Sequence, residues 1–243
     1  MNKDYCDDYC YQKQQFTLIQ KPKYNAHLSL ILFDMDGVLV NAISSWRFIH
    51  NYFSTDNQES VKAYIDGEID DLEFIKRDVN RWKINNKLIS EMKLRDILND
   101  ITYIKGSKYC LEQIEKFGIK TAIVSAGIKL LADRVANELK IDYVFANELL
   151  TDDEGILTGE GVVQVPLKQK NKAVELISKK LNIHQSNMLA VGNSCFDIPL
   201  ISSVGIGVAF NPEDECIIKN ADEVIESKDL SLLIPIIKKY INE

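Results

Sequence analysis

The sequence lacks any run of about 20 apolar residues, the length a helix needs to cross a bilayer, although 46% of its 243 residues are hydrophobic. It lacks an apolar stretch near its start, where Asp4, Asp7 and Asp8 stand instead, so the opening residues do not read as a secretory signal. It lacks an excess of positive charge. The 29 Lys and Arg against 36 Asp and Glu give a formal net charge of -7, which argues against a nucleic-acid or anionic-membrane partner. It also lacks a cysteine framework: Cys6, Cys10, Cys110, Cys195 and Cys216 are odd in number and scattered, which fits a reducing cytoplasm better than disulfides. Cys6 and Cys10 resemble half a metal site, but with no matching second pair they read as surface thiols. The length suits one large or two modest domains.

What is present is organised around Ile31 to Leu39, ILFDMDGVL. The apolar run Leu28 to Phe33 predicts a short buried strand. It ends in Asp34-Met35-Asp36-Gly37. Two carboxylates directly after a buried strand are costly unless they meet a cation or a substrate. Gly37 lets the backbone turn without a Cβ penalty. In open α/β sheets ligands sit outside the carboxyl ends of the strands, so both acids are expected to face a site.

Residues 1–27 are polar, with weak periodicity, and read as an extension in which FTLIQ, Phe16 to Gln20, is an added strand. Between Asn41 and Ile104, SSWRFIHNYF, LEFIKRDVNRW and LISEMKLRDIL place apolar residues at helical spacing, broken near Gly67, and no strand pattern competes. This predicts a small helical domain inserted after the first strand. From Lys105 helices and strands alternate. Strands are expected at 120–124, 143–146, 188–191, 205–210 and 223–226, with a hairpin inside 151–165 and helices at 109–117, 130–139, 171–181 and 230–241. The alternation implies an α/β fold, a Rossmann-like parallel sheet covered by helices on both faces.

Three of these strands end in polar or small-residue loops: Asp34/Asp36, Ser125-Ala126-Gly127, and Gly192 to Asp197. In a parallel sheet the three ends share one edge. Lys168, Lys170 and Lys172 precede or open the helix that leads to the third. Carboxylates, a hydroxyl with flanking amides, and an ammonium form a set suited to a phosphate group and Mg²⁺.

In this order of motifs the chain resembles the haloacid dehalogenase-like superfamily, and within it the phosphoserine phosphatase-like branch. The likeness runs from Leu28 to about Ile237, and DYVFANELL, LTGE and ADEVIESKDLSLLI are similar to further stretches of that branch. The resemblance implies a core of residues 28–42 and 105–243 with a helical cap at 43–104. It implies a phosphatase acting on a small phosphorylated metabolite in the cytoplasm, with Mg²⁺ as cofactor. Asp34 would be the nucleophile that carries an aspartyl-phosphate. Asp36 would protonate the leaving oxygen and then activate water. Ser125 and the amides of Ala126 and Gly127 would hold phosphoryl oxygens, and Lys170 would neutralise charge, with Lys172 the alternative and Lys168 part of a solvated face. Asp34, Asp36, Asn193 and Asp197 would serve the metal, Asp197 through a water or by orienting the site.

The chain departs from the family pattern at three places. Asn193 stands where the fourth motif carries a metal-ligating aspartate, so one charged ligand is lost. Ile43 stands where phosphoserine phosphatases carry a glutamate for the substrate amino group, and Asp78 where they carry a cap arginine for its carboxylate. Ile43 and Trp46 then read as an apolar wall of the substrate site, and Asp78 as a partner for a hydroxyl-rich or cationic leaving group. Trp46, His50 and Trp82 also fit a cap core, and Cys195 reads as a small filler. Two functions stay open on the sequence: a Mg²⁺-dependent phosphatase, or a catalytically impaired protein that binds a phosphate or metabolite.

Overall fold

The structure, a computed structural model, describes residues 20–241. The FTLIQ strand expected at Phe16 to Gln20 lies almost wholly outside them. β1 (Leu30–Phe33) is fully buried along its length. It leads into α1 (Ser45–Tyr52), α2 (Gln58–Asp66) and α3 (Asp71–Val79), then into the two-residue strands β2 (Lys83–Ile84) and β3 (Lys87–Leu88), and then α4 (Glu91–Asn99). These helices start where sequence chemistry allows. The Asp70 and Ser90 side chains accept from the amides of Glu73 and Lys93 at the N-termini of α3 and α4. Gly67, in the left-handed conformation, ends α2.

The alternating part follows: α5 (Ser107–Lys116), β4 (Lys120–Ile128), α6 (Lys129–Leu139), β5 (Tyr143–Thr151), β6 (Leu157–Val162), α7 (Lys170–Leu181), β7 (Met188–Gly192), α8 (Ile198–Ile201), β8 (Ile206–Phe210), α9 (Glu215–Asn220), β9 (Glu223–Ile225) and α10 (Leu233–Ile241). Seven strands form one sheet in the order β6-β5-β4-β1-β7-β8-β9. Neighbours are parallel except β5 and β6, which are antiparallel. The central strands are buried on both faces, as continuous apolar runs such as MLAVG and IGVAF require. One packed layer includes Phe33, Val191, Val208 and Leu230; the other includes Leu32, Val174, Ala190 and Ile201.

Register fixes where the site lies. Phe33 pairs with Ile123 of β4 and with Val191 of β7. The loops that leave β1, β4 and β7 therefore emerge at one edge, side by side.

Residues between β1 and α5 add no strand to this sheet. The expected absence of strands there does not hold in full: β2 and β3 pair as a tight hairpin whose turn residues Asn85 and Asn86 both have positive φ. The chain leaving β1 and the chain approaching α5 run together, with Asn41 N–H donating to Thr102 O and Ile104 N–H to Leu39 O. A second attachment comes from β6 and the turn before it: Glu91 N–H donates to Gly155 O and Leu157 N–H to Ile89 O. β4 and β5 are also longer than the sequence predicts, running past Val124 to Ile128 and past Ala146 to Thr151.

Candidate active site

Asp34 follows directly on β1, and its amide donates to Val191 O at 2.9 Å, which ties it to the neighbouring strand exit. Its carboxylate is buried. Oδ1 accepts from Lys170 Nζ at 2.8 Å, and the same ammonium donates to Asp197 Oδ1 at 2.6 Å. Lys170 opens α7, where the helix dipole disfavours a cation; the two carboxylates are what hold it there. Burial pulls the ammonium's pKa down, but Asp197 and Asp34 outweigh that and keep it above the ordinary lysine range. Asp34 shows the opposite balance. Burial and the Asp197 charge push it up to about 7, against the lowering influence of Lys170. Lys172 is exposed, two residues along the helix from the buried Lys170.

Asp36 sits in the turn after Met35. Its Oδ2 accepts from both the amide and the hydroxyl of Ser45, each at 2.8 Å. Oδ1 is buried without a hydrogen-bond partner. Burial raises the pKa of this carboxyl, with Ser45 opposing. A half-satisfied acid whose pKa is raised, two residues from an anchored carboxylate, is suited to proton transfer. The turn depends on Gly37, whose φ is +77°. A Cβ there would also stand 2.1 Å from Asn193 Nδ2.

The second loop presses against the first. A Cβ on Gly127 would lie 2.8 Å from Ser45 Oγ and 3.0 Å from Asp36 Oδ2, so only glycine permits the approach. Ser125 is buried, and its Oγ accepts from Gly127 N–H at 3.1 Å, so that amide already has an acceptor. Ala126 O is fixed from two sides, by Trp46 Nε1 and Asn147 Nδ2, each at 3.2 Å. Asn147 continues the brace, donating to Val165 O and accepting from the amides of Gln164 and Val165.

The third loop carries Asn193 and Asp197, both buried. Asp197 Oδ2 accepts from the amides of Asn193 at 2.9 Å and Ser194 at 3.2 Å, while Oδ1 takes Lys170. Both its oxygens are thus held by protein donors. Asp197 braces Lys170 and the loop. Cys195 is buried, as a filler would be, and its amide donates to Asp214 Oδ2.

Three further expectations change. Asp78 does not line an open substrate site; it is 0% exposed, with Oδ2 3.2 Å from His50 Nε2 and 2.7 Å from Asn57 Nδ2. Lys168 is not part of a solvated face. Its ammonium donates to the carbonyls of Tyr64 and Ile65 in the last turn of α2, and it stands over the Tyr64 ring. Trp46 is buried, with its ring 5.6 Å from that of Trp82, so of the expected apolar wall only Ile43 stands open, at 66% exposure.

Two contributors have no counterpart in the sequence reading. Ser45 satisfies one side of Asp36. Glu213, in the loop after β8, accepts from Asn193 Nδ2 at 3.2 Å. The residue as a whole is solvent-exposed, yet its carboxyl end turns inward. Burial of that end, with Asp197 and Asp214 nearby, pushes it up to about 7. The signal for it was positional: β8 is parallel to β7, so Asn211 to Asp214 leave the sheet at the same edge as the other three loops.

The donors present fit a hard divalent cation. Asp34 Oδ2 takes no protein hydrogen bond among the described residues, and Asn193 directs its nitrogen to Glu213, which leaves Oδ1 free. The site gathers the carboxyl groups of Asp34, Asp36, Asp197 and Glu213 beside the buried ammonium of Lys170. Among the described residues no group of three or more His, Cys, Asp or Glu converges as a closed metal cage. Mg²⁺ needs none, because it keeps several waters and takes one or two carboxylates with substrate phosphate. A surface cavity of about 500 Å³ lined by Tyr103, Ser107, Tyr109 and Glu138 shares no residue with this site.

Comparison with known proteins agrees with this arrangement. The chain is 31% identical over 223 residues to a phosphoserine phosphatase of Archaeoglobus fulgidus, covering 88% of this chain and 61% of that protein. It therefore spans less than two thirds of that relative. It is 27% identical over 212 residues to a phosphoserine phosphatase of Methanocaldococcus jannaschii, covering 86% and 97%. A solved phospho-aspartyl intermediate analogue of phosphoserine phosphatase superposes with a TM-score of 0.72 at 25% identity, covering 86% of this chain and 99% of the other. Residues 31–202, which hold all three strand-end loops, match the family model for haloacid dehalogenase-like hydrolases, and the chain belongs to that family.

Proposed function

We propose that this chain is a phosphoric monoester hydrolase that acts on a small phosphorylated metabolite through an aspartyl-phosphate at Asp34. The observation that carries the reading is the buried ammonium of Lys170 shared between Asp34 and Asp197, with the unpartnered Oδ1 of Asp36 two residues away. Asp34 Oδ2 attacks phosphorus, and the bond from phosphorus to the leaving oxygen breaks as Asp36 gives that oxygen its proton. Asp36, now ionised, takes a proton from water. The resulting hydroxide breaks the acyl-phosphate bond, releasing inorganic phosphate and Asp34. Lys170 balances charge on the transferring group, and the Ser125 hydroxyl is placed to hold one of its oxygens. Mg²⁺, held by the Asp34 carboxylate, the Asp36 main-chain carbonyl and Asn193, would supply charge stabilisation of the phosphoryl oxygens. In this reading residues 43–104 act as a cap over a core of 28–42 and 105–243. The buried thiol of Cys110 accords with a cytoplasmic setting.

The relatives' names point to phosphoserine, but this chain presents neither expected handle: Ile43 is apolar and Asp78 faces the cap core. The test is hydrolysis of p-nitrophenyl phosphate and phosphoserine with and without Mg²⁺. The expected result is Mg²⁺-dependent turnover of the generic ester, with kcat/KM for phosphoserine no more than tenfold higher, a gap worth about 1.4 kcal/mol. Turnover of no ester at saturating Mg²⁺ would overturn the enzyme reading. A larger phosphoserine preference would overturn the specificity reading alone.

A further inference from the structure

Asn193 poses a problem that the rest of the site does not. It is buried in a pocket with an anionic nucleophile, and a carboxamide has two chemically opposite ends. With Oδ1 toward the pocket it offers a donor atom to a cation. With Nδ2 toward the pocket it repels a cation and hydrogen-bonds to carboxylates. Nothing intrinsic to Asn193 decides between these.

The loop after β8 decides it. Glu213 and Asn193 are joined twice: Glu213 N–H donates to Asn193 O at 2.8 Å, and Asn193 Nδ2 donates to Glu213 Oε1 at 3.2 Å. The next residue adds a third bond, Cys195 N–H to Asp214 Oδ2 at 2.6 Å. Asp214 is itself fixed as the N-cap of α9, accepting from Ile217 N–H. The main chain of the two loops is therefore clasped, and the Glu213 carboxylate is delivered to the amide by a rigid support. The amide also meets the backbone of Gly37, where a Cβ would stand 2.1 Å from Nδ2 and 3.0 Å from Cγ. The nitrogen end of the carboxamide is thus held by Glu213 and crowded by Gly37.

We infer that Glu213 is a positioning residue for the cation site. By accepting from Asn193 Nδ2 it turns Oδ1 toward the cation position, and it returns one hydrogen bond away the negative charge that an asparagine lacks. This rests on the metal-dependent reading of the site given above. A charged acceptor on the far end of the amide also draws electron density toward Oδ1, as partners behind metal ligands do generally. Glu213 thus offsets the loss of charge at position 193 without touching the metal.

The experiment is a Mn²⁺ titration of the full chain, without substrate, followed by the electron paramagnetic resonance of free Mn²⁺. Four proteins are compared: the native chain, Glu213→Gln, Asn193→Asp and the double variant, each checked for an unchanged circular dichroism spectrum. Glutamine pairs with either end of the asparagine amide and carries no charge, so Glu213→Gln should weaken Mn²⁺ binding about tenfold in the native background. With Asn193→Asp the ligand has no wrong end, and the same change should cost less than threefold. No weakening in the native background overturns the inference, as does an equal loss in both backgrounds, which would mean bulk charge alone. Binding by none of the four removes the metal site itself and with it this inference. Normal binding that ignores Glu213 leaves the proposed function standing and sinks only the positioning role.

Discussion

Lys170→Met removes one buried ammonium and keeps most of the side-chain volume, so the cavity contribution is small. What it leaves is two carboxylates that have lost partners at 2.8 and 2.6 Å, in a residue environment only 3% exposed. Hydrogen bonds to charged groups contribute about 1.5–3 kcal/mol each, so two give roughly 3–6 kcal/mol gross. Removing one partner of a buried ion pair costs about 3–5 kcal/mol, and about 4 kcal/mol is the expected loss at pH 8. The loss should depend on pH with a definite sign. Asp34 stands at about 7 in the folded protein against an ordinary 3.8, so a proton on it favours the folded state. Without Lys170 that tendency strengthens. At pH 5 Asp34 takes up the proton, one of the two stranded charges disappears, and the loss should fall to about half. The penalty therefore grows as pH rises through about 7. Urea denaturation of both proteins at pH 5 and pH 8, with chelator present, measures it through the midpoint at unchanged slope. At pH 8 the melting temperature should drop by about 10 °C. A loss below about 1 kcal/mol at pH 8, or an equal loss at both pH values, would refute the buried ion-pair argument.

Asp34→Asn should bring ester hydrolysis to background with the circular dichroism spectrum unchanged, because an amide does not attack phosphorus; turnover above a tenth of the native rate would exclude Asp34 as nucleophile. Asp229 accepts from Lys105 and from Ser231, which holds its carboxyl down at about 2. Its folded pKa is depressed, so its stabilisation is present above about 4 and is lost as pH falls toward about 2. Asp229→Asn should flatten the melting temperature against pH over that interval, and parallel curves for the two proteins would contradict it.

The fold was legible wherever burial on both faces leaves no choice. LILF, MLAVG and IGVAF are too apolar for any place but the middle of a parallel sheet, and their ends are marked by the first polar residue. Legibility fails where pairing, and not hydrophobicity, sets the strand. β4 runs on through Ser125 to Ile128 and β5 through Asn147 to Thr151 because neighbouring strands supply ladder partners there, with a shift of register between Ser125 and Ile128. The β2–β3 hairpin has two residues in each strand, too few to show a period of two. Its turn, Asn85-Asn86 at positive φ, is the chemistry a tight hairpin demands, and it was the signal available.

The site divides along a similar line. Asp34, Ser125 and Asn193 are reached by counting strand ends. Lys168 and Lys170 have the same chemistry two residues apart, and only the start of α7 separates them: Lys170 is in the helix and turned inward, while Lys168 precedes it and reaches the end of α2. Asp78 shows that alignment to a family motif and physical periodicity conflict. Ile75, Asp78, Val79 and Trp82 recur at helical spacing, so the apolar stripe that α3 begins carries Asp78 into the buried core of the helical segment, where Asn57 donates to it and His50 lies beside it. Glu213 is the converse case. It belongs to no apolar pattern and follows a proline in an acidic loop, so composition marks it as surface. Its place beside the other loops follows from topology. In a parallel sheet every strand between the first and last delivers a loop to the same edge, and β8 delivers Glu213 beside Asn193, where this chain has an amide and the family's fourth motif an acid.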